Sequence, residues 1–166
     1  HRIARRQRQM CIRDSLSRYA LTNEKESYQL SEEQDKAYKE LSKNDSSFRV
    51  HLLQGTTGSG KTLVYFKAIE KILNIGSQAL ILLPEIGLTN EFEKKFKSYF
   101  GFEAAVWHSK VSPKKRKIIW NGLSAGKIKV VIGARSSLFL PFKKLGLITV
   151  DEEHDQSYKQ DEGIIY

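Results

Sequence analysis

Cysteine, proline and long apolar runs are all scarce in this sequence of 166 residues, which has one cysteine and three prolines. The single cysteine, Cys11, cannot form an internal disulfide or complete a zinc site of several thiolates, so neither is expected to stabilise the fold. This cysteine usage is typical of a reducing cytosol and predicts a cytoplasmic protein. No apolar run approaches the ~18 residues that a membrane-spanning helix needs, so no membrane partner is expected.

The remaining composition is that of an ordinary globular chain. Hydrophobic residues make up 40% and charged residues 28%, which excludes disordered, collagen-like and coiled-coil classes. At roughly 150 residues per domain, the length predicts one domain with one core.

Positive charge is in excess, with a formal net charge of +9 that favours polyanionic partners such as nucleic acid. About half of this excess lies in the first eighteen residues, which hold six arginines and one aspartate. The string from Arg8 to Asp14 resembles a translated sequencing adapter, so residues 1–14 are either a transit-type leader or, as we prefer, a non-native segment. We assign residues 1–29 to a disordered lead-in and residues 30–166 to a partial domain.

Apolar runs and amphipathic segments alternate along the chain. Ser31 and Gln34 form a capping-box pattern that predicts a helix over residues 32–43. Strands are predicted over residues 50–53, 79–83, 104–107, 128–132 and 147–150. Further helices are predicted from the glycine loop to about residue 73, from residue 89, and after Ser112. Continuous apolar strands indicate an α/β fold with a mainly parallel sheet and helices on both faces.

A glycine-rich loop follows the first predicted strand and opens a helix, which is the context that a phosphate-binding loop requires. The spacing G-x-x-x-x-G-K-T predicts a nucleotide site formed by Gly55, Thr56, Thr57, Gly58, Ser59, Gly60, Lys61 and Thr62. Backbone N–H groups would surround the phosphates of ATP, and Lys61 would contact the β and γ phosphates. The Thr62 hydroxyl would bind Mg²⁺. The alternative is an ordinary glycine turn.

Acidic residues follow the last predicted strand, at the edge where ligands bind in open α/β sheets. Asp151 is predicted to bind Mg²⁺ through water, and Glu152 to act as the general base for the attacking water. The alternative is a solvated acidic loop. His154 is either packed in the core or couples the nucleotide state to neighbouring motifs.

Three further segments match known motifs: residues 83–89, residues 133–139 and residues 151–160. Together with the phosphate loop they resemble the superfamily 2 helicases of the DEAH-like type, and within these the helicases that restart stalled replication forks. The similarity covers about residues 31–166 and implies the first RecA-like lobe of a P-loop NTPase.

Contacts with DNA are expected in the loops at the same sheet edge. Arg135, Ser136 and Thr89 can contact a phosphodiester backbone, although ordinary βα loops would look the same. Tyr158 could stack on a base or simply pack, and the resemblance assigns Tyr158 and Lys159 to a segment that senses single-stranded DNA. Gln34 resembles an adenine-binding glutamine, and the alternative, weighed equally, is a residue that only caps the helix.

The resemblance implies a 3′–5′ DNA helicase that uses ATP and Mg²⁺, binds single-stranded and forked DNA, and loads the primosome. Primosome and single-strand-binding proteins are the implied partners. Zinc is expected in the complete family, but its cysteine ligands are absent here. Another superfamily 2 helicase, a DNA-uptake ATPase and a non-enzymatic nucleotide-gated DNA-binding module remain open.

The resemblance also implies that hydrolysis needs arginine fingers from a second RecA-like lobe. Losing a finger costs ~10³ to 10⁵ in rate, so we expect this chain alone to hydrolyse ATP negligibly. The last strand or strands of the first lobe would follow Tyr166, so we expect a C-terminally truncated lobe with an exposed apolar edge.

Overall fold

The sheet consists of four parallel strands within the part of the chain that the structure describes. This computed structural model describes residues 19, 28–43, 47–56, 58–84, 87 and 89–159. The strands are β1 (Gln78–Leu82), β2 (Ala105–Trp107), β3 (Val130–Gly133) and β4 (Leu145–Val150), in the spatial order β2-β3-β1-β4. Because all neighbouring strands are parallel, their carboxyl ends meet at one edge of the sheet. The predicted parallel sheet is confirmed.

Helices connect these strands, and their starts follow from local capping chemistry. They are α1 (Glu32–Leu41), α2 (Lys61–Asn74), α3 (Asn90–Phe100) and α4 (Pro113–Ser124), with two short 3₁₀ helices at Arg135–Phe139 and Gln156–Tyr158. The hydroxyls of Ser31, Thr89 and Ser112 each accept a hydrogen bond from the backbone N–H three residues later. The capping box predicted at the start of α1 is confirmed, although α1 ends at Leu41 rather than at residue 43.

Two apolar cores cover the two faces of the sheet. On one face, α2 and α3 pack an aromatic cluster around Phe66, whose ring lies 5.7 Å from that of Phe96, and neither side chain is exposed to solvent. On the other face, Ile119 and Leu123 of α4 pack against Leu80 of β1. The prediction of helices on both faces is confirmed, and this burial is the main source of the fold's stability.

Strand β4 departs from the prediction that every strand is buried on both faces. Ile148 and Val150 remain exposed, although they pair with Leu80 and Leu82, which α4 and its neighbours cover. The reason is that β4 is an edge strand, and the helical layer on this face does not extend over it. Among the described residues β4 pairs only with β1, so the expected exposed apolar edge is present.

The strand predicted over residues 50–53 is wrong. These residues have no regular secondary structure, and Val50 is 83% exposed. An apolar run forms a strand only where another strand accepts its backbone hydrogen bonds. Within the described ranges no strand pairs with this segment, so the phosphate loop follows a stretch without regular secondary structure rather than a sheet strand.

A buried glutamine joins β1 to the loops around it. The Gln78 side chain is 1% exposed, and its Nε2 donates to the carbonyls of Leu123 at 3.2 Å and Ile128 at 2.6 Å. Its Oε1 accepts from the Lys144 N–H at 2.9 Å. Both the nitrogen and the oxygen of this buried amide therefore have hydrogen-bond partners, as buried polar groups require.

Most of the predicted lead-in, residues 1–29, lies outside the described residues. Of its described members, Tyr19 is buried among the residues on the α4 face, and Tyr28 stacks on Tyr99 with ring centroids 5.3 Å apart. The boundary at residue 30 stays a prediction. Among the described helices none is both long and apolar enough to cross a bilayer.

Candidate functional site

The phosphate loop turns sharply between Thr56 and the start of α2. Gly58 and Gly60 have φ angles of +83° and +78°, which side chains rarely adopt, and Ser59 N–H closes a turn onto the Thr56 carbonyl at 3.2 Å. A Cβ atom on Gly60 would also clash with Nε2 of Gln34. No side chain caps α2, so N–H groups of its first turn are left to a ligand. Thr57 lies outside the described residues.

The Lys61 ammonium lies across the mouth of this loop. Its Nζ donates to the carbonyls of Gly55 at 2.7 Å and Thr56 at 3.0 Å. The lysine is thus held beside the loop that the sequence predicts to bind phosphate, with its charge on the inner side of the turn.

Gln34 joins α1 to the phosphate loop through both ends of its amide. Its Oε1 accepts from the Ser31 N–H at 2.9 Å, as a capping box requires, while its Nε2 donates to the Ser59 carbonyl at 3.0 Å. The capping role is therefore confirmed, and a contact with the phosphate loop accompanies it. Adenine binding by Gln34 stays a prediction.

The acidic end of β4 is connected to the phosphate-loop helix by Tyr65. The Tyr65 hydroxyl donates to Oδ2 of Asp151 at 2.9 Å. Burial of the ring, and then the negative charge of Asp151, raise the pKa of Tyr65, while the nearby Thr62 side chain lowers it in part, so this hydroxyl stays protonated as a donor at neutral pH. The Tyr65 hydroxyl therefore lies close to both predicted Mg²⁺ ligands and is hydrogen-bonded to one of them, Asp151.

Glu152 occupies an unusual backbone conformation immediately after Asp151. Its φ of +50° is the one positive value of a non-glycine residue among those described, and its N–H donates to Oδ1 of Asp151 at 3.1 Å. Both carboxylate oxygens of Asp151 therefore accept a hydrogen bond. The Glu152 side chain is exposed to solvent. Backbone strain of this kind is common at functional sites.

The predicted DNA-contacting residues fall into two groups. Arg135, Ser136 and Tyr158 line one open cleft of about 780 Å³ beyond the carboxyl ends of β1, β2 and β3. Thr89, whose hydroxyl caps α3, His154 and Lys159 do not line this cleft and are exposed. The interpretation of His154 as a core-packed residue is wrong, because its side chain is 79% exposed beside Glu153.

The cleft and the acidic site share a hydrogen-bonded segment. The Tyr158 hydroxyl donates to the Asp151 carbonyl at 2.9 Å, and Nη1 of Arg135 donates to the Tyr158 carbonyl at 3.2 Å. Burial, and next the charge of Asp151, raise the pKa of Tyr158, so it too remains a donor.

Sequence reasoning missed several residues of these sites. Tyr65 lies three residues after Thr62 on α2, a spacing that puts both side chains on one helix face, so an aromatic with a polar tip at that position was a usable signal. Trp107 and Phe139 line the cleft beside Arg135, and no sequence pattern brings residues from these separate loops together.

The oxygen donors of this site are suited to a hard cation, but they are too few to hold one unless phosphates and water also bind it. No group of three or more histidine, cysteine, aspartate or glutamate side chains that could hold a metal exists among the described residues. Thr62 and Asp151 offer oxygen donors, which is consistent with Mg²⁺ held by few protein ligands together with phosphates and water.

These features define a nucleotide-binding P-loop domain with a RecA-like α/β fold. Residues 31–165 match the model of the family described as DEAD/DEAH box helicase, so the chain belongs to the DEAD/DEAH box helicases. The resemblance inferred from the motifs is confirmed.

Individual relatives agree with this family. The chain is 53% identical over 137 residues to "Replication restart protein PriA" of Rickettsia felis, covering 82% of this chain and 21% of the relative. It is 42% identical over 135 residues to the protein of the same name from Bacillus subtilis, covering 80% of this chain and 17% of the relative. The chain thus spans about a fifth of the length of such relatives.

A solved structure shares the fold. The structure described as "Structure of RecG bound to three-way DNA junction" superposes with a TM-score of 0.70 at 28% identity, covering 84% of this chain and 20% of that one. The RecA-like helicase fold that the resemblance implied is confirmed.

Proposed function

We propose that this chain is the ATP-binding lobe of a PriA-like DNA helicase, which couples ATP hydrolysis to 3′–5′ translocation on single-stranded DNA and restarts stalled replication forks. The observation that carries the proposal is the hydrogen bond between Tyr65 and Asp151, made by a hydroxyl whose pKa the neighbouring Thr62 side chain also influences. It joins the first turn of the phosphate-loop helix to the acidic end of β4, as a nucleotide-hydrolysing site of this class requires. The similarity to PriA proteins over about four fifths of the chain supports the same function.

Phosphate binding is assigned to the loop of residues 55–60 and to Lys61. The Lys61 ammonium contacts two carbonyls, and charged phosphate oxygens are stronger acceptors than carbonyls. We therefore expect the ammonium to move to the β and γ phosphates when nucleotide binds. The uncapped start of α2 adds N–H donors and a partial positive charge.

Magnesium binding is assigned to Thr62 and, partly through water, to Asp151. When bound, Mg²⁺ neutralises the charge that develops on the phosphate oxygens. Tyr65 keeps the Asp151 carboxylate on the side of Thr62, and the N–H of Glu152 holds its other oxygen. The residues themselves therefore orient the ligands before any metal is bound.

Proton removal from the attacking water is assigned to Glu152. Its carboxylate is exposed, follows Asp151 directly, and takes part in no ion pair within the described part of the chain. An ionised carboxylate at this position can orient a water molecule and accept its proton.

DNA binding is assigned to the cleft edge and the loops around it, through Arg135, Ser136, Thr89, Tyr158 and Lys159, with His154 coupling this segment to the nucleotide state. Forked DNA, primosome proteins and single-strand-binding proteins are proposed partners, and the cytoplasm is the proposed location. Zinc belongs to the proposal only for the full-length family, because this chain has a single cysteine.

The test replaces Lys61 by alanine in the full-length protein. DNA-stimulated ATP hydrolysis and unwinding of a forked substrate should fall by about 10²-fold or more, because a positioned cation at the phosphates is lost. Lys67→Ala is the matched control, since Lys67 lies on the same helix but pairs with Glu70 at 2.7 Å. Unwinding that survives Lys61→Ala intact would contradict the proposal.

Two further readouts separate the alternatives. A nucleotide-gated binding module would change its DNA affinity with ATP but show no hydrolysis in the full-length protein. The 166-residue chain alone should hydrolyse ATP negligibly with or without DNA, measured as phosphate release, because the arginine fingers implied for a second lobe are worth ~10³ to 10⁵ in rate.

A further inference from the structure

The cleft at the carboxyl edge of the sheet has walls of two different kinds. Its lining includes the aromatic rings of Trp107, Phe139 and Tyr158 and the guanidinium groups of Arg116 and Arg135. Contacts with the phosphodiester backbone alone would need the cationic and hydroxyl groups but not the aromatic ones. The aromatic walls therefore need a separate explanation.

The described residues of the cleft give it a positive charge. None of these lining residues is a carboxylate, and neither Arg116 nor Arg135 forms an ion pair within the described ranges of the chain. Arg116 is oriented by carbonyls, with Nη2 donating to Ser109 at 2.8 Å and Nε to Val111 at 3.0 Å. Neutral carbonyls orient a guanidinium but leave its charge in place, so the cleft favours an anionic ligand.

One wall of the cleft is rigid. The Arg116 guanidinium lies 5.4 Å from the centre of the Trp107 ring, in a cation–π contact, and the same guanidinium is held by the loop carbonyls after Trp107. Side chains fixed in this way lose little conformational entropy when a ligand binds.

Phe139 presents a large apolar surface at this cleft. Its ring is 83% exposed, yet residues on both sides of it are anchored. Ser137 is buried and its hydroxyl donates to the Ala134 carbonyl at 2.5 Å, while Leu140 is buried in the core on the α4 face. The exposure of Phe139 is therefore imposed by the fold around the 3₁₀ helix.

We propose that the cleft binds one nucleotide unit of a single strand, with its base stacked on Phe139 and its phosphate beside Arg135 and Ser136. Exposed aromatic rings combined with cationic groups are the usual means of binding single strands without reading their sequence. This proposal rests on the proposed function, because it supposes a DNA-translocating protein, and it adds a base contact to the backbone contacts. The volume of about 780 Å³ is ample for a nucleotide.

The experiment compares two oligonucleotides of equal length and charge, one of thymidines and one of abasic nucleotides, in binding to the full-length protein. Fluorescence anisotropy gives Kd for each. Wild-type protein should bind the thymidine strand more tightly than the abasic strand. Phe139→Ala should raise Kd for the thymidine strand by about 5- to 100-fold while leaving Kd for the abasic strand nearly unchanged. Phe139→Trp should retain the preference for bases.

Two variants serve as matched controls. Leu138→Ala removes a neighbouring exposed apolar side chain that does not line the cleft, and it should leave both Kd values unchanged. Arg135→Gln should weaken the binding of both strands equally. It should also make the dependence of log Kd on log salt concentration shallower, by an amount that corresponds to the loss of about one phosphate contact, whereas Phe139→Ala should leave this dependence unchanged.

The outcomes separate this proposal from the proposed function. Equal weakening of thymidine and abasic strands by Phe139→Ala, or no weakening, would overturn base stacking while DNA binding by the wild type still stood. Loss of thermal stability of the full-length protein with unchanged DNA affinity would likewise overturn it, and would assign Phe139 to a contact with another part of the protein. If the wild type bound neither strand, the proposed function itself would fail.

Discussion

Tyr65 offers the sharpest test of the site, because one atom can be removed while the fold around it stays the same. Phenylalanine keeps the ring, which is 6% exposed, and deletes only the hydroxyl that donates to Asp151 at 2.9 Å. A hydrogen bond to a charged group contributes about 1.5 to 3 kcal/mol. Asp151 is partly exposed and keeps the N–H of Glu152, so water replaces some of this loss. We therefore expect Tyr65→Phe to lower the free energy of unfolding by about 1 to 2 kcal/mol.

The assay is urea denaturation of the 166-residue chain at neutral pH, followed by far-UV circular dichroism. The midpoint should fall while the slope of free energy against urea concentration stays constant, because the buried surface does not change. Tyr99→Phe is the matched control. Its ring is also 6% exposed in the same core, but its hydroxyl forms no side-chain hydrogen bond among the described residues, so the change should stay within about 0.5 kcal/mol.

A second readout distinguishes positioning of Asp151 from simple stabilisation. In the full-length protein, Tyr65→Phe should raise the Mg²⁺ concentration needed for half-maximal ATP hydrolysis, because the Asp151 carboxylate is no longer held beside Thr62. An increase on the order of tenfold corresponds to about 1.4 kcal/mol. If Tyr65→Phe and Tyr99→Phe gave equal stabilities and equal Mg²⁺ dependence, the Tyr65–Asp151 bond would have no role in the site.

Two further predictions concern stability. Gln78→Leu should lower the free energy of unfolding by about 2 to 4 kcal/mol in the same urea assay, because it leaves the Ile128 carbonyl and the partly buried N–H of Lys144 without a side-chain partner. The Leu123 carbonyl keeps its bond from the Gly126 N–H. A loss below about 1 kcal/mol would contradict this prediction. Stability should fall above about pH 10, because unfolded tyrosines release their protons there while burial keeps Tyr65 protonated in the folded chain, so the folded state binds more protons. Urea midpoints measured across about pH 9 to 11 should decline less steeply for Tyr65→Phe than for the wild type, and identical slopes would refute this assignment.

The parts of the fold that sequence predicted are those decided by neighbouring residues. Ser31 caps α1 and Ser112 caps α4 because a hydroxyl three residues before a backbone N–H needs no distant partner. The prediction of a strand over residues 50–53 was wrong because a strand forms only where another strand pairs with it. A local apolar run does not specify that partner. Coverage of β4 by helices on both faces was wrongly predicted for a similar reason, since only the sheet order shows that this strand lies at an edge.

The candidate site shows the same division. The phosphate loop was predictable because its residues are contiguous and its glycines have a backbone requirement. For Gln34 the sequence left capping and adenine binding open, and the structure confirms the cap on Ser31 and adds a contact with Ser59, while adenine binding stays a prediction. Tyr65 and Asp151 are 86 residues apart, so their hydrogen bond could only follow from the order of strands and helices.

Asp151 is hydrogen-bonded to a residue of each proposed site, and this gives a physical basis for coupling them. Its carboxylate is held by Tyr65 on the phosphate-loop helix, and its backbone carbonyl accepts from Tyr158, whose own carbonyl accepts from Arg135 at the cleft. A displacement of Arg135 by a bound strand would therefore act on Asp151, the residue that Tyr65 holds at the proposed nucleotide site. Linkage is reciprocal: if DNA binding changes the affinity for nucleotide by some factor, nucleotide binding changes the affinity for DNA by the same factor. Tyr158→Phe removes the hydroxyl that bonds to the Asp151 carbonyl but keeps the ring and the backbone of Tyr158 at the cleft. In the full-length protein it should therefore reduce the change in DNA Kd that ATP causes, measured by fluorescence anisotropy, without abolishing DNA binding or ATP binding.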